Sequence, residues 1–331
     1  MSKQSTSSPK VAIITRTKDR PVLLERAILS VHRQNFLDYI HVIINDAGDE
    51  NVIDDLILKH QDLIRGRVNI IHNNVSNGME AASNKAIKSV DSKYIAIHDD
   101  DDTWHPDFLK MTVDYLETTQ SKGVVVVTDK VDEEIIDGKI NQISVDRWLP
   151  HARVINLYKQ CLDNYVTPIT FLYERSVYDK IGYYDESLPV AGDWDFALRF
   201  LMEYDIDFLI TKYALAYYHH RPNAQGKDKN SVFVDKGLLH EQKINLIANK
   251  YMREELKSGK LGIGYIMNSL RFEDETKNHI ESLIDSTHRN YATRIEGHIN
   301  FTGKDIKKSV EENGVRGFMR RIFNLKRPAR K

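Results

Sequence analysis

Short apolar, β-branched runs alternate with amphipathic stretches through the first 130 residues of this chain. The run VAIIT at 11–15 is continuous and apolar, which is typical of a strand buried on both faces. Similar runs lie at 39–44, 67–72, 93–98 and 123–128. Between them, helical patterns begin at Pro21, cover 78–90, and extend from Pro106 to Leu116. This alternation predicts an α/β sandwich with a mostly parallel central sheet.

Polar and charged residues follow three of these predicted strands. Arg16–Arg20 follow the first strand, Asp46 follows the second, and Asp99–Asp102 follow the fourth. Ligands of such sheets bind in a crevice outside the carboxyl ends of the strands. We therefore expect these three groups to meet in one crevice.

Four consecutive aspartates, Asp99–Asp102, are the most unusual feature of that set. A solvated acidic turn is the plain alternative. An EF-hand calcium loop is excluded, because its sixth position would be Trp104 instead of glycine and its twelfth Lys110 instead of glutamate. An Asp-x-Asp unit at a strand end can instead hold one Mn²⁺ or Mg²⁺ and leave coordination positions for a diphosphate. That chemistry suits a nucleotide-sugar donor.

Composition argues against several other classes of protein. The formal net charge of −1 over 331 residues indicates no nucleic-acid partner. The single cysteine, Cys161, excludes an internal disulfide and fits a reducing compartment. The opening MSKQSTSSPK is too polar for a signal peptide, and no apolar run approaches the ~20 residues that cross a bilayer. We therefore expect a soluble, cytoplasmic protein.

Changes of pattern along the chain predict four regions. Residues 1–9 are expected to be a flexible N-terminus, and 10–231 the α/β domain, with a strand pattern at 165–173 and a helix at 192–205. From 232 to 314, long helical patterns with few strand signals predict a helical C-terminal region.

The last segment, 315–331, contains seven basic residues and no acidic one. Its residues Val315, Phe318, Met319 and Ile322 recur at helical spacing on one face. A basic amphipathic helix of this kind predicts peripheral contact with the inner face of the cell membrane. Such contact would suit an enzyme that extends a lipid-linked glycan. The alternative is a helix packed on the core or on another subunit.

Seven short segments follow one another along the chain in a recognisable order. They are TKDR (17–20), SVHRQ (30–34), ND (45–46), SNGMEAASNKAI (76–87), HDDDDTWHPDFL (98–109), GDWDFALRFL (192–201) and AYYHH (216–220). In this order and at this spacing they resemble the motifs of the family 2 inverting glycosyltransferases, which transfer sugars from nucleotide-diphospho-sugars. The resemblance covers about residues 10–222 and implies a GT-A type α/β/α sandwich, followed by the helical C-terminal region.

The resemblance implies a metal site and a donor site. Asp101 and Asp99 would bind Mn²⁺ or Mg²⁺, and His220 would complete the metal or diphosphate site. His219 is the alternative to His220, because shifting the alignment by one residue exchanges the two positions. Asp102 is the aspartate expected to have a structural role. The residues implied in donor binding are Thr17, Asp19, Arg20, Asp46, Asn84, Asp99 and Asp100.

The resemblance also implies a catalytic base and an acceptor site. Asp193 would take the proton from the attacking acceptor hydroxyl, which is the one carboxylate that inverting transfer requires. Asp195 would then be free to play a structural part, although Asp193 as a simple helix cap is the alternative. Trp104 and His105 would contact the acceptor sugar, with plain packing as the alternative for Trp104.

The chain departs from the family pattern at several positions. Ser83 stands where the family usually has arginine, and Gly192 stands where glutamate is frequent. Arg16 and Lys18 replace a common proline and an aromatic residue, which leaves the identity of the nucleotide open. Asp19 is equally well placed to cap the helix that follows it.

The expected function is therefore metal-dependent inverting transfer of a sugar, from a UDP-sugar by default, in polysaccharide, O-antigen, capsule or glycolipid assembly. One alternative is an inactive relative that binds glycans or nucleotides. Another is a sugar nucleotidyltransferase, which is disfavoured because the glycine-rich nucleotide loop expected near the N-terminus is missing. The sugar, the acceptor, the linkage and the oligomeric state have no readable signal in the sequence.

Overall fold

The structure is a computed structural model, which describes residues 8–149, 154–162, 164–188, 190–230 and 238–322. The strands are β1 (Val11–Thr17), β2 (Tyr39–Asp46), β3 (Val68–Asn73), β4 (Tyr94–Ile97), β5 (Thr103–Trp104), β6 (Gly123–Val126), β7 (Thr128–Ile136), β8 (Lys139–Arg147), β9 (Phe171–Glu174), β10 (Asp207–Leu209) and β11 (Ala216–His220). The helices are α1 (Pro21–His32), α2 (Glu50–Lys59), α3 (Gln61–Ile64), α4 (Met79–Lys88), α5 (Phe108–Thr119), α6 (Leu157–Leu162), α7 (Tyr178–Ile181), α8 (Gly192–Glu203), α9 (Leu238–Ser258) and α10 (Ile263–Ile322).

The central sheet has seven strands in the order β10-β6-β9-β4-β1-β2-β3. Strand β1 lies parallel to both of its neighbours, β2 and β4, and β2 lies parallel to β3. Among the strands of the described residues, β9 is the one that runs antiparallel to its neighbours in this sheet. The predicted α/β fold with a mostly parallel sheet is therefore confirmed.

The core explains why β1 reads as a continuous apolar run. Its side chains point alternately to the two faces of the sheet. Ala12 and Ile14 belong to one buried cluster, together with residues of α4 and α8, whereas Val11 and Ile13 belong to another, with residues of α1 and α5. Because both faces are covered, no position of the strand can be polar without a buried partner.

A smaller sheet of four strands, in the order β5-β11-β7-β8, was not predicted. Its hairpin β7–β8 occupies a stretch where the sequence indicated only short strands and loops. The turn is formed by Asp137 and Gly138, which both have positive φ, 50° and 72°. This is the backbone conformation of a type I′ hairpin turn, for which Asp-Gly is a preferred pair.

Asp19 does not cap α1, so that alternative is wrong. Pro21 begins the helix and Arg20 is the N-cap residue, without a side-chain cap hydrogen bond. Asp19 has φ 54°, and its carboxylate accepts a hydrogen bond from the Asp49 backbone N–H across 3.2 Å. The residue therefore joins the end of β1 to the loop after β2.

The chain divides into two compact units, Met1–Asn249 and Lys250–Lys331. The helical C-terminal region is confirmed by α9 and α10, and α10 is interrupted at Gly314, which has φ 64° and ψ 167°. None of the described helices is long and apolar enough to span a membrane. The side chains of 316–331 lie outside the described part, so the expected amphipathic face at 315–331 is a prediction about residues that the structure leaves out.

Candidate active site

The loops after β1 and β4 meet at the same edge of the central sheet, as the parallel pairing of the two strands requires. Arg16, near the end of β1, and Arg20, in the loop that follows, contact the aspartates of the loop after β4. The expected meeting is confirmed for these two of the three groups, and that of Asp46 with them stays a prediction. Each of the four aspartates nevertheless has a different set of partners.

Asp101 is the most heavily paired of the four. Its Oδ2 accepts a hydrogen bond from Arg20 at 2.7 Å, one from Asn230 at 3.2 Å, and a further charge-assisted bond from Arg221. Burial alone would raise the pKa of this carboxyl, but the two guanidinium charges outweigh it and hold the pKa well below its usual range. Asp101 is therefore ionised at any physiological pH.

Asp100 and Asp102 are buried and held by the protein. Asp100 accepts hydrogen bonds from Thr17 Oγ1 at 2.8 Å and from Arg20 at 2.7 Å, while burial raises its pKa to about 7. Asp102 accepts from the backbone N–H of His219 in β11 at 2.8 Å. It thereby anchors the second sheet to the loop, which is the structural role expected of it.

Asp99 is the most accessible of the four aspartates. Its side chain is 26% exposed, against 4% for Asp100 and 10% for Asp101. Its Oδ1 accepts a charge-assisted hydrogen bond from Arg16, whose other terminal nitrogen donates to Ser83 Oγ at 3.2 Å. Asp99 therefore has the largest surface available for a ligand.

Sequence reasoning missed a buried network behind Asp101. Arg221 is fully buried and donates to Glu133 Oε1 at 2.7 Å as well as to Asp101. Glu133 also accepts from Arg26 at 2.6 Å and contacts His219 Nδ1 at 2.7 Å. No local sequence signal marks Arg221, Glu133 or Arg26, because each lies in a different part of the chain.

The two neighbouring histidines of β11 have different surroundings. His219 is buried, with Glu133 on Nδ1 and Thr103 Oγ1 on Nε2 at 2.8 Å, and is therefore a structural residue. His220 points to the other face of the strand, where its ring packs edge-on against Tyr218 at 4.3 Å. Burial lowers the pKa of His220 to about 4, so it is neutral and able to ligate. Its contact with a metal or diphosphate stays a prediction.

Asp193 lies in the first turn of α8 and is half-buried. Its Oδ2 accepts a hydrogen bond from Asn164 at 2.8 Å. Burial, followed by the charge of Asp99, raises its pKa above the usual range, which makes the carboxylate a stronger base. Asp195 accepts from Arg199 at 2.8 Å, one turn along the helix, and so has the structural part expected of it.

A second carboxylate lies beside Asp193 and was also missed. Glu80, on α4, is only 4% exposed, and burial raises its pKa to about 7 although Arg16 opposes the shift. The charge of Asp193 acts on it in the same direction as burial. The pattern at 76–87 drew attention to Asn84 and Ser83, while Glu80 itself matched no motif.

Two residues predicted to bind the donor are engaged with the protein. Asp46 accepts hydrogen bonds from four donors, the side chains of Asn73 and Ser76 and the backbone N–H groups of Asn77 and Gly78. These bonds outweigh its burial and lower its pKa. Its carboxylate shapes the loop before α4, and direct contact with the nucleotide stays a prediction.

Asn84 connects α4 to the segment before α8. Its Nδ2 donates to the Tyr184 carbonyl at 2.9 Å and to Glu186 at 2.8 Å, and its Oδ1 accepts from the Tyr184 N–H at 3.1 Å. The side chain is thus hydrogen-bonded on both its nitrogen and its oxygen. A donor contact by Asn84 stays a prediction.

For Trp104, packing is the role that the structure shows, and the expected stacking on an acceptor sugar needs correction. The ring is 4% exposed, lies flat against Phe108 at 4.1 Å, and donates from Nε1 to the Ile169 carbonyl at 2.7 Å. No face is left for a ligand. His105 is more accessible and lies against Tyr213 at 4.7 Å, and its acceptor contact stays a prediction.

The expected divalent cation can be tested against the ligands present. Within the described ranges there is no group of three or more His, Cys, Asp or Glu side chains that could hold a metal ion. Mg²⁺ in phosphate chemistry, however, uses one or two carboxylates together with substrate phosphates. The contacts of Asp101 given above all involve Oδ2, and that of Asp99 involves Oδ1. Asp99 Oδ2 and Asp101 Oδ1 take part in none of these contacts, and binding of a cation by the two carboxylates stays a prediction.

Comparison with known proteins decides the family. The sequence profile of "Glycosyl transferase family 2" matches residues 12–182, which is more than half of the chain. The chain belongs to glycosyl transferase family 2. It is 24% identical over 199 residues to Escherichia coli WcaA, provisionally named a colanic acid biosynthesis glycosyl transferase, with 60% of this chain and 68% of WcaA covered. It is 28% identical over 202 residues to the uncharacterized Bacillus subtilis glycosyltransferase YwdF, with 60% and 70% covered.

Solved structures support the fold of this glycosyltransferase. S. aureus TarS 1–349 in complex with UDP-GlcNAc superimposes with a TM-score of 0.51 at 15% identity, covering 75% of this chain and 73% of TarS. The mannosyltransferase PcManGT of Pyrobaculum calidifontis, in complex with GDP-Man and Mn²⁺, gives 0.50 at 16% identity, covering 67% and 59%. At these identities the likeness establishes the GT-A fold alone.

Proposed function

We propose that this protein is a metal-dependent inverting glycosyltransferase that uses a nucleotide-diphosphate sugar and transfers the sugar to a glycan hydroxyl. The observation that carries the proposal is a single accessible edge of the sheet with two different carboxylates. Asp99 is partly exposed and paired with Arg16, while Asp193 is also half-buried and has a raised pKa. One carboxylate is suited to the donor side and the other to the acceptor side.

Asp193 is the proposed base. In an inverting transfer the acceptor oxygen attacks the anomeric carbon from the face opposite the diphosphate, and its proton passes to Asp193 Oδ1 or Oδ2. Asn164 donates to the carboxylate and holds its orientation. A raised pKa increases the proton affinity that this step requires.

Asp99 and Asp101 are the proposed metal-binding residues, with Mn²⁺ or Mg²⁺ as the cation. A divalent cation there would neutralise charge on the departing diphosphate. His220, neutral at physiological pH, is the proposed third contact. The Mn²⁺ in the PcManGT complex supports use of a divalent cation within this fold.

The donor is proposed to be a UDP-sugar. TarS has been solved with UDP and with UDP-GlcNAc, and PcManGT with GDP-Man, which supports a nucleotide-sugar donor without deciding the base. The name of WcaA supports polysaccharide assembly as the setting. Thr17, Arg20 and Asp19, at the end of β1, are the proposed nucleotide contacts.

The experiment is a donor panel of UDP-, GDP- and dTDP-sugars with and without Mn²⁺. Melting temperature reports binding, because a ligand of the folded state alone stabilises it, by about 2.7 kcal/mol at a hundred times its Kd. Release of nucleoside diphosphate reports turnover. Asp99→Asn should reduce the metal-dependent stabilisation, and Asp193→Asn should keep donor binding while lowering turnover by about a hundredfold or more.

Asp114→Asn is the matched control, because its carboxylate is 61% exposed and pairs only with Lys110 within its own helix. This variant should behave as the wild type does. Binding of a nucleotide without turnover in the wild type would favour the inactive relative. Absence of binding by every nucleotide would refute the proposal.

We also propose that 315–331 binds an anionic membrane surface and brings the enzyme to a lipid-linked acceptor. The basic composition of the segment supports this, and it would place the enzyme on the cytoplasmic face of the membrane. Flotation with vesicles of phosphatidylglycerol and phosphatidylcholine tests it. Deletion of 315–331 should abolish flotation, and flotation that survives the deletion would refute the proposal.

A further inference from the structure

The first turn of α8 is stabilised by an unusual arrangement. Its N-cap residue is Ala191, which has φ 63° and no side chain able to accept a hydrogen bond. The carboxylate of Glu80 reaches this turn from α4 and lies against the backbone of Gly192, whose N–H favours the charged form of the carboxyl. A carboxylate at a helix N-terminus satisfies an unpaired N–H and interacts favourably with the helix dipole. Glu80 is therefore placed to cap this helix from a different element.

Glu80 can occupy this position only because residue 192 is glycine. A Cβ built on Gly192 would lie 2.4 Å from Glu80 Cδ and 2.4 Å from its Oε1. Side chains at the two positions thus compete for one volume. At 192 the sequence departs from the glutamate that its family resemblance leads us to expect, and the glutamate at 80 fills the space that a side chain at 192 would take.

The other side of Glu80 faces the aspartates. Its Oε2 is buried, makes no hydrogen bond with the described residues, and lies 3.8 Å from Arg16 Nη1. Arg16, itself only 11% exposed, donates to Asp99 and to Ser83 Oγ. Glu80 is consequently the link between the helix that carries Asp193 and the arginine that holds Asp99.

We propose that Glu80 is a positioning residue which, by capping α8 and pairing with Arg16, fixes the distance between Asp193 and Asp99. This inference rests on the proposed function, since it assigns Asp193 to the acceptor and Asp99 to the donor. A displacement of about 1 Å between reacting groups can cost about a hundredfold in rate. Loss of the link should therefore lower kcat/KM without removing any group that touches the substrate.

A relocation experiment tests this inference. Glu80→Ala should lower kcat/KM by about tenfold to a hundredfold. Gly192→Glu alone should also lose activity, because two glutamates then compete for one volume. The double variant Glu80→Ala/Gly192→Glu supplies the carboxylate from α8 and should recover most of the wild-type kcat/KM. Gly262→Glu is the matched control, because nothing lies within 4 Å of a Cβ there, and it should be neutral.

Glu80→Gln keeps the shape of the side chain and one acceptor oxygen but not the charge. It is the test variant to use if Glu80→Ala fails to fold. This variant should keep its melting temperature and lose about tenfold in kcat/KM, because Arg16 is then paired with Asp99 alone. Wild-type kcat/KM in Glu80→Gln would overturn the inference. A folded double variant no more active than Glu80→Ala would overturn it as well.

Wild-type turnover separates this inference from the proposed function. If the wild type turns over no nucleotide sugar, the proposed function fails, and melting temperature becomes the readout. Glu80→Ala should then melt at a lower temperature than the wild type, and Glu80→Ala/Gly192→Glu should regain most of the difference. If the wild type is active and Glu80→Ala is equally active, only the inference fails.

Discussion

Arg221→Met would remove the cation at the centre of the buried network and keep an apolar side chain of similar length. In the wild type, Arg221 is 0% exposed and its terminal nitrogens donate to Glu133 and Asp101. Its Nε donates to the Asp228 carbonyl at 2.8 Å. The variant therefore leaves two buried carboxylates, each with one fewer cation.

The expected loss in free energy of unfolding depends on the cations that remain beside these carboxylates. Removing one partner of a buried ion pair typically costs about 3 to 5 kcal/mol. Asp101 keeps Arg20 and Glu133 keeps Arg26, so we take the lower limit, about 3 kcal/mol. With a urea m-value of about 2 to 3 kcal/mol/M, the midpoint should fall by about 1 to 1.5 M.

Urea unfolding followed by circular dichroism at pH 7.5 measures this shift. Arg147→Met is the matched control, because Arg147 is 37% exposed and pairs with Asp129 at 3.0 Å, so its loss should cost less than about 1 kcal/mol. Adding Glu133→Gln to Arg221→Met removes a buried carboxylate that has already lost one of its two arginine partners, so the two effects should be less than additive. A midpoint for Arg221→Met equal to that of the control, or strictly additive effects, would refute the reasoning.

Two further predictions concern the stability of the fold. His41 is buried between Thr15 and His32, and burial holds its pKa well below 6.5. It therefore contributes stability above pH 6.5 that is lost as pH falls, by about 2 kcal/mol at pH 5. His41→Gln should remove about this much from the change in the free energy of unfolding between pH 7 and pH 5, as measured by urea unfolding. Gly48→Ala would place a Cβ 2.7 Å from Asn45 Oδ1 and 2.9 Å from the Asp19 backbone nitrogen, so the free energy of unfolding should fall by about 1 to 3 kcal/mol in the same assay. An unchanged pH slope or an unchanged midpoint, respectively, would contradict them.

The strands and helices of the first half could be predicted because their periodicity reports burial directly. The run at 11–15 is apolar at every position since both faces of β1 are covered, and α1 buries Leu24, Ile28 and Val31 on the face expected for them. The hairpin β7–β8 was missed because β8 is largely exposed and lacks an apolar face. The Asp137–Gly138 pair was the local signal that could have indicated it.

The partners within the site could not be predicted, because they are set by packing between distant elements. Glu133 and Arg221 are 88 residues apart in the sequence, and Arg16 and Asp99 are 83 apart. The pattern DDDD therefore marked the place without showing that Asp99 alone remains accessible. Asp193 was identified from a resemblance, whereas Glu80, which lies beside it, matches no motif and is recognised only through the space left by Gly192.

The hairpin β7–β8 has a consequence for engineering by segment exchange. Its outer strand β8 lies at the edge of the smaller sheet and is largely exposed. The hairpin could therefore be chosen as a surface segment to exchange between relatives. Glu133 lies within it, at a register shift next to Asp132, and reaches the buried arginines behind Asp101. A graft that moves this register by one residue would turn the carboxylate outward and leave the buried Arg221 and the half-buried Arg26 without it. Chimeras should therefore be cut beyond residue 133, between Glu134 and the turn.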